Sequence, residues 1–126
     1  MTLPPLLREH IELLRSQGYT IEVVDGGEIG IIFKDYSIPG HIWNRDKVDI
    51  LITTHPTYPN AKLDMFWVDP AVALKNNGAQ PKSTSPESKF GRSWQRFSWH
   101  INNWNPAHEN LITYLGMVED RLHKVE

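Results

Sequence analysis

The stretch Tyr19-Thr20-Ile21-Glu22-Val23-Val24-Asp25-Gly26-Gly27-Glu28-Ile29-Gly30-Ile31-Ile32-Phe33 decides the fold class. Residues 19–24 alternate at period two, Asp25-Gly26-Gly27 offers positive φ for a tight turn, and Ile29–Phe33 is a second β-branched run. The pattern is that of a β-hairpin. Working outward toward the N-terminus, Leu3, Leu6, Leu7, Ile11 and Leu14 recur at helical spacing. Pro4 and Pro5 suit a first turn and Gly18 a stop, which predicts an amphipathic helix over about 4–17. Working the other way, Pro39-Gly40 and Asn44 lead into Val48–Thr53, a third strand, and Asp64–Val68 forms a fourth, ended by Asp69-Pro70. His55-Pro56-Thr57-Tyr58-Pro59 joins the two as an extended connection, because each proline restricts its own φ and the residue before it.

Residues 75–92 hold Asn76-Asn77-Gly78, Pro81, Ser83-Thr84-Ser85-Pro86 and Gly91 with few apolar anchors, and read as a long mobile loop. Asn105 as N-cap and Pro106 at the first helical position predict the start of a last helix. Leu111, Leu115, Val118, Leu122 and Val125 form its core stripe, with Glu119, Asp120, Arg121 and Lys124 on a solvated face. The expected fold class is α+β: a two-layer domain over 1–126 with an N-terminal helix, a four-stranded antiparallel meander sheet, a long loop and a C-terminal helix.

At 126 residues the chain is long enough to bury one core. With a net charge of -2 and 22% charged residues, no strong field points to nucleic acid or an anionic membrane. There is no cysteine, which removes disulfides, thiolate metal sites and thiol chemistry together. The six histidines show no His-Glu-x-x-His, and no glycine-rich phosphate loop lies between a strand and a helix, so no cofactor is expected. The N-terminus lacks a basic region followed by an apolar run, and no segment reaches membrane-spanning length, which leads to an expectation of a cytoplasmic protein.

The segment Ser93–Pro106 gathers Trp94, Trp99 and Trp104 around Arg96, Ser98 and His100. Tryptophan is costly to expose, so such a segment suits a site wall. Taken with Tyr58-Pro59, the aromatic strand Met65-Phe66-Trp67 and Trp104-Asn105-Pro106-Ala107, it resembles the ubiquitin-conjugating enzymes. The similarity is closer to their prokaryotic family E, whose Trp-x-Arg-x-Ser-x-His segment is similar to Trp94, Arg96, Ser98 and His100. The resemblance runs from Leu6 to Leu122. It implies a domain of the ubiquitin-conjugating fold that works with a ubiquitin-like protein, an adenylating activating enzyme and a deubiquitinase-like metalloprotease of the same pathway. The company such proteins keep fits a bacterial role in antiphage defence.

Two departures stand out. The catalytic cysteine is missing, and so is the His-Pro-Asn before it; His55-Pro56 precedes Tyr58 and is out of place for that role. The resemblance then implies Ser98 as carrier of a glycyl oxyester, eight residues before Pro106. A hydroxyl needs a base, and His100, two residues on, would share a side with Ser98 in an extended backbone. Asn102, Asn103 and Trp104, with Arg96, are the candidate substrate-binding residues, and Asn76 and Asn77 could reach in as oxyanion donors. Removing one such donor commonly raises a barrier by about 2–4 kcal/mol. The residue types also admit a plainer reading: Ser98 bonded to backbone, His100 a structural histidine and the tryptophans packing. The alternatives to a transferase are a noncatalytic binding module for a ubiquitin-like protein or activating enzyme, and a Ser/His hydrolase.

Overall fold

The computed structural model describes residues 3–126. The elements follow as α1 (Pro5–Ser16), β1 (Thr20–Asp25), β2 (Ile29–Ser37), β3 (Lys47–Thr54), β4 (Met65–Asp69), β5 (Thr84–Lys89), β6 (Arg92–Ser98) and α2 (Leu111–Leu122). One sheet holds all six strands in the order β1-β2-β3-β4-β6-β5, every pairing antiparallel. The expected α1 and first four strands are present, but the sheet has six strands rather than four.

The predicted mobile loop over 75–92 is replaced by a hairpin. Phe90 and Gly91 both carry positive φ, 52° and 72°, the turn geometry that matches the twist of two antiparallel strands. Charged residues on one face of β6 and serines on β5 hide a real alternation, in which Gln95 and Phe97 face the helices while Arg92, Trp94 and Arg96 face away. Residues 75–78 form a turn held by Gly78 N–H on the Leu74 carbonyl and Lys75 N–H on the Ile42 carbonyl. β5 carries Pro86 opposite Gln95 at the sheet's outer edge.

The last helix also differs from expectation. Asn105 closes its own turn, its side chain accepting from Ala107 N–H, and α2 begins six residues later. Asn110 caps it, accepting from Ile112 and Thr113 N–H, while the Thr113 hydroxyl accepts from Asn110 N–H as a capping box. Val125 lies beyond the helix and is exposed, and Arg121, expected at the surface, is 1% exposed. The spacing explains the second correction, since position 121 follows Tyr114 and Val118 on the buried face.

The two helices cover one face of the sheet. Leu7, Ile11 and Leu14 of α1 and Leu111, Tyr114, Leu115 and Val118 of α2 pack there on Ile31, Phe33, Ile50, Ile52, Phe66 and Phe97. Phe66 and Phe97 stack at 4.7 Å, and Trp43 meets Phe97 edge-on while its indole N–H donates to the Leu122 carbonyl at 2.8 Å.

The other face is closed by the β5/β6 hairpin curling across it. Ile32, Leu51, Trp67 and Trp94 form a second, smaller cluster, with Val24, Met65 and Phe90 against it. Phe90 lies on the β1/β2 turn so closely that a Cβ on Gly30 would stand 2.8 Å from its ring and 2.6 Å from Val24. Lys89 pairs with Glu28 across the same gap and lies over the Trp67 ring. Arg92 bridges Asp49 and Asp69 at 3.0 and 2.7 Å, and Lys34 also reaches Asp49. Burial acts to raise the Asp49 pKa, but the Asp35 N–H, Lys34 and Arg92 outweigh it and hold the carboxyl below its ordinary value.

Candidate functional site

The extended connection between β3 and β4 works as a strut. The Tyr58 hydroxyl lies 2.7 Å from His10 Nδ1 of α1 and accepts the N–H of Leu111, the first residue of α2, at 2.7 Å. Burial pushes the phenol up to about 12, with the Leu111 N–H opposing, and burial also lowers the His10 pKa against the opposing effect of Glu9. The assignment that satisfies all three groups has Tyr58 donating to a neutral His10, whose own proton then sits on Nε2. One residue on, the Pro59 carbonyl accepts the Trp104 indole N–H at 2.9 Å. The Tyr-Pro pair therefore fixes both the start of α2 and the middle of the segment that leads to it.

That anchoring defines what Ser98 can do. Ser98 is the last residue of β6, paired with Met65, and its N–H donates to the Ser83 carbonyl. The residue is exposed, as are His100, Asn102 and Asn103. Ser98, His100 and Asn102 line one hollow of about 350 Å³ with Ser83, Trp99 and Met117. Because the strand ends at Ser98, alternation does not carry on to His100, and among the described residues no hydrogen bond joins the two side chains. The hollow brings them together without making a dyad.

The remaining expected site residues are dispersed. Asn103 is exposed with φ 57° and does not line the hollow, Trp104 is held on Pro59, and Asn76 and Asn77 lie in the 75–78 turn. Arg96 lines a different cleft of about 340 Å³, which also includes Thr53, Thr54, Met65, Trp67 and Lys89. Met65 belongs to that cleft and is the register partner of Ser98, so cleft and hollow adjoin at this point of the sheet.

Two residues gain importance from the structure. Ser83 contributes to the hollow and takes the Ser98 N–H, and only the unexpected hairpin brings it there. Arg121 supports the same segment from below: its guanidinium lies 5.2 Å from Phe97 and 5.5 Å from Trp99, the neighbours of Ser98, and donates to the Lys82 and Glu126 carbonyls. Burial lowers the Arg121 pKa, with Glu126 opposing. Among the described residues, no group of His, Asp and Glu is arranged to hold a metal ion. Among the described residues, no helix is long and apolar enough to cross a membrane.

An α+β domain with a Tyr-Pro strut and a Trp-Asn-Pro segment ahead of its last helix has the architecture expected of a ubiquitin-conjugating-like protein. The family model of Prokaryotic E2 family E matches residues 6–125, and the chain belongs to that family. Membership supports a ubiquitin-conjugating-like role in general terms, with ubiquitin-like proteins and activating enzymes as the general class of partner. No curated protein and no solved structure matches the chain.

Proposed function

We propose that this protein is a ubiquitin-like-protein transferase that uses Ser98 in place of cysteine. The activating enzyme presents the C-terminal glycine of the ubiquitin-like protein as a thioester. Ser98 Oγ attacks its carbonyl carbon, His100 takes the hydroxyl proton, the O–C bond forms, and the C–S bond breaks with the thiolate leaving. An acceptor amine then attacks the ester carbon, the C–N bond forms as the C–O bond breaks, the leaving Ser98 Oγ takes the proton held on His100, and the proton shed by the amine nitrogen passes through the freed His100 to solvent. The product is an amide and the free enzyme.

The observation that supports this reading is the placement of Ser98 in a chain of this family: exposed, at a strand end eight residues before Pro106, on the same hollow as His100. No hydrogen bond joins the two side chains among the described residues, and apo catalytic hydrogen bonds are often open in this way. Asn102 faces the same hollow as a donor for the oxyanion, Arg96 engages the incoming tail, and Asn103 and Trp104 shape its approach.

The test is incubation with an activating enzyme, ATP and a ubiquitin-like protein from a system that carries this family, followed by intact mass. The expected product is an adduct that resists thiol, is released by hydroxide and disappears in Ser98→Ala. Retained binding of the ubiquitin-like protein with no adduct would favour instead a noncatalytic module, the reading that the missing Ser98–His100 hydrogen bond supports.

A further inference from the structure

Ser83 ends the β5/β6 ladder irregularly. Thr84 pairs with Phe97, so Ser83 takes the next register position, opposite Ser98. The Ser98 N–H donates to the Ser83 carbonyl at 3.0 Å. In a regular antiparallel pair of this kind the two residues exchange both bonds, with Cα atoms about 5.5 Å apart. Here the return bond is missing. Among the described residues the Ser83 N–H makes no hydrogen bond, and neither does the Ser83 hydroxyl.

The backbone accounts for this. Ser83 has φ 62°, in the left-handed region that serine seldom enters. Its neighbours hold it there: the Lys82 carbonyl accepts from the buried Arg121 at 3.1 Å, the Lys82 N–H donates to the Glu126 carbonyl at 3.3 Å, and the Thr84 hydroxyl donates to the Pro81 carbonyl at 2.7 Å. A strained residue fixed from both sides, with its own donors unused, is a feature of binding and catalytic sites.

Ser83 is exposed and lines the same hollow as Ser98, His100 and Asn102. Trp99 and Met117 complete the lining, so no carboxylate stands on its wall. Beside it, Lys124 Nζ and the Arg121 guanidinium lie 5.8 and 5.5 Å from the Trp99 ring, with Glu126 offsetting the second. Negative charge that develops in the hollow therefore meets donors and no acidic side chain on the lining.

The acyl step creates such a charge. When Ser98 Oγ bonds to the glycyl carbon, the C=O electron pair moves onto the carbonyl oxygen, within reach of a residue about 5.5 Å away across the ladder. We infer that Ser83 binds this oxyanion, through its hydroxyl and its free N–H, as the second donor beside Asn102. This rests on the acyl-transfer reading of Ser98. Both Ser83 groups keep their protons: the oxyanion collapses, the C–S bond breaks and the thiolate leaves, so Ser83 is unchanged at the end of the step.

Two substitutions separate this role from a structural one. Ser83→Gly suits the left-handed backbone and removes only the hydroxyl, whereas Ser83→Ala removes it and keeps the strain. Single-turnover acylation by acetyl-glycyl-glycine benzyl thioester is followed by intact mass, with Ser98→Ala as the blank. The maximal rate should fall about a hundredfold in both variants, with the half-saturating thioester concentration unchanged. Thermal melts should show Ser83→Gly more stable than Ser83→Ala. A rate that follows those melts, or a full rate in Ser83→Gly, would overturn the inference. Boron NMR with acetyl-glycyl-boroglycine gives a readout that needs no acyl donor. A tetrahedral boronate should form on Ser98 and bind about tenfold more weakly in both variants. Equal affinities, or no tetrahedral boronate, would also overturn the role of Ser83. The two measurements distinguish the ideas. A Ser98 acyl adduct formed equally fast without the Ser83 hydroxyl removes the donor and leaves the transferase, whereas a Ser83-dependent boronate with no acyl adduct removes the transferase and leaves the donor.

Discussion

The two faces of the sheet are stabilised by different means. Under the helices, Phe33, Phe66, Phe97, Trp43 and Tyr114 are each buried almost completely, and the Trp43 and Tyr114 polar atoms bond to the Leu122 and Trp99 carbonyls. On the other face Ile32, Leu51, Trp67 and Trp94 form a smaller buried cluster, and Lys89–Glu28, Arg92–Asp69 and Lys34–Asp49 close the edges. The first arrangement gives stability through apolar burial. The second leaves polar groups available at small cost, because exposed or half-exposed ion pairs contribute little each.

The largest expected effect tests the helical face. Trp43→Ala removes a fully buried indole and its bond to Leu122, and should destabilise by about 3–5 kcal/mol in urea unfolding. A loss below about 1 kcal/mol would mean that the two faces do not differ as described. Next comes the closure of the second face. Gly30→Ala drives a methyl into Phe90 and Val24, and should lower stability by about 1–3 kcal/mol. Phe90 and the hairpin should also become more accessible to hydrogen exchange while α2 stays protected.

A smaller effect concerns pH. The folded-state pKa of His10 is depressed, so the folded protein favours the neutral ring, and its contribution is present above the unfolded value of 6.5. It is lost as pH falls from 6.5 through the lower folded value. Thermal melts of the wild type should therefore decline more steeply over that window than those of His10→Gln, whose amide oxygen can still accept from Tyr58; parallel profiles would reject the assigned Tyr58-to-His10 hydrogen bond. The smallest effects belong to the hollow. Ser98→Ala and His100→Ala remove exposed side chains with no hydrogen-bond partner among the described residues and should change stability by less than about 0.5 kcal/mol, while abolishing or slowing adduct formation.

Much of this architecture was legible in the chain. The Asp25-Gly26-Gly27 turn and the 3.6-residue stripe of α1 read directly, since each is a local pattern matched by its environment. The β5/β6 hairpin was hidden because Arg92 and Arg96 alternate with Gln95 and Phe97, and the ion pairs that justify burying those arginines come from β3, β4 and β5. Asn105-Pro106 misled for a related reason: it has the chemistry of a helix start, and only the capping box at Asn110 and the Tyr58 contact to Leu111 show where the helix begins. The candidate site was partly legible. Ser98, His100 and Asn102 do share a hollow, but Arg96 belongs to the neighbouring cleft, and no local signal pointed to Ser83 or Thr54.

Pro86 has a consequence for assembly. Opposite Gln95 on the outermost strand, it leaves that rim of the sheet one amide proton short, so another chain aligning there cannot complete a ladder. The free rim of β1, Thr20–Asp25, carries no proline. Any recruitment of a further strand, whether a second copy or an extended peptide, is therefore directed to the β1 side, well away from the segment that carries Ser98.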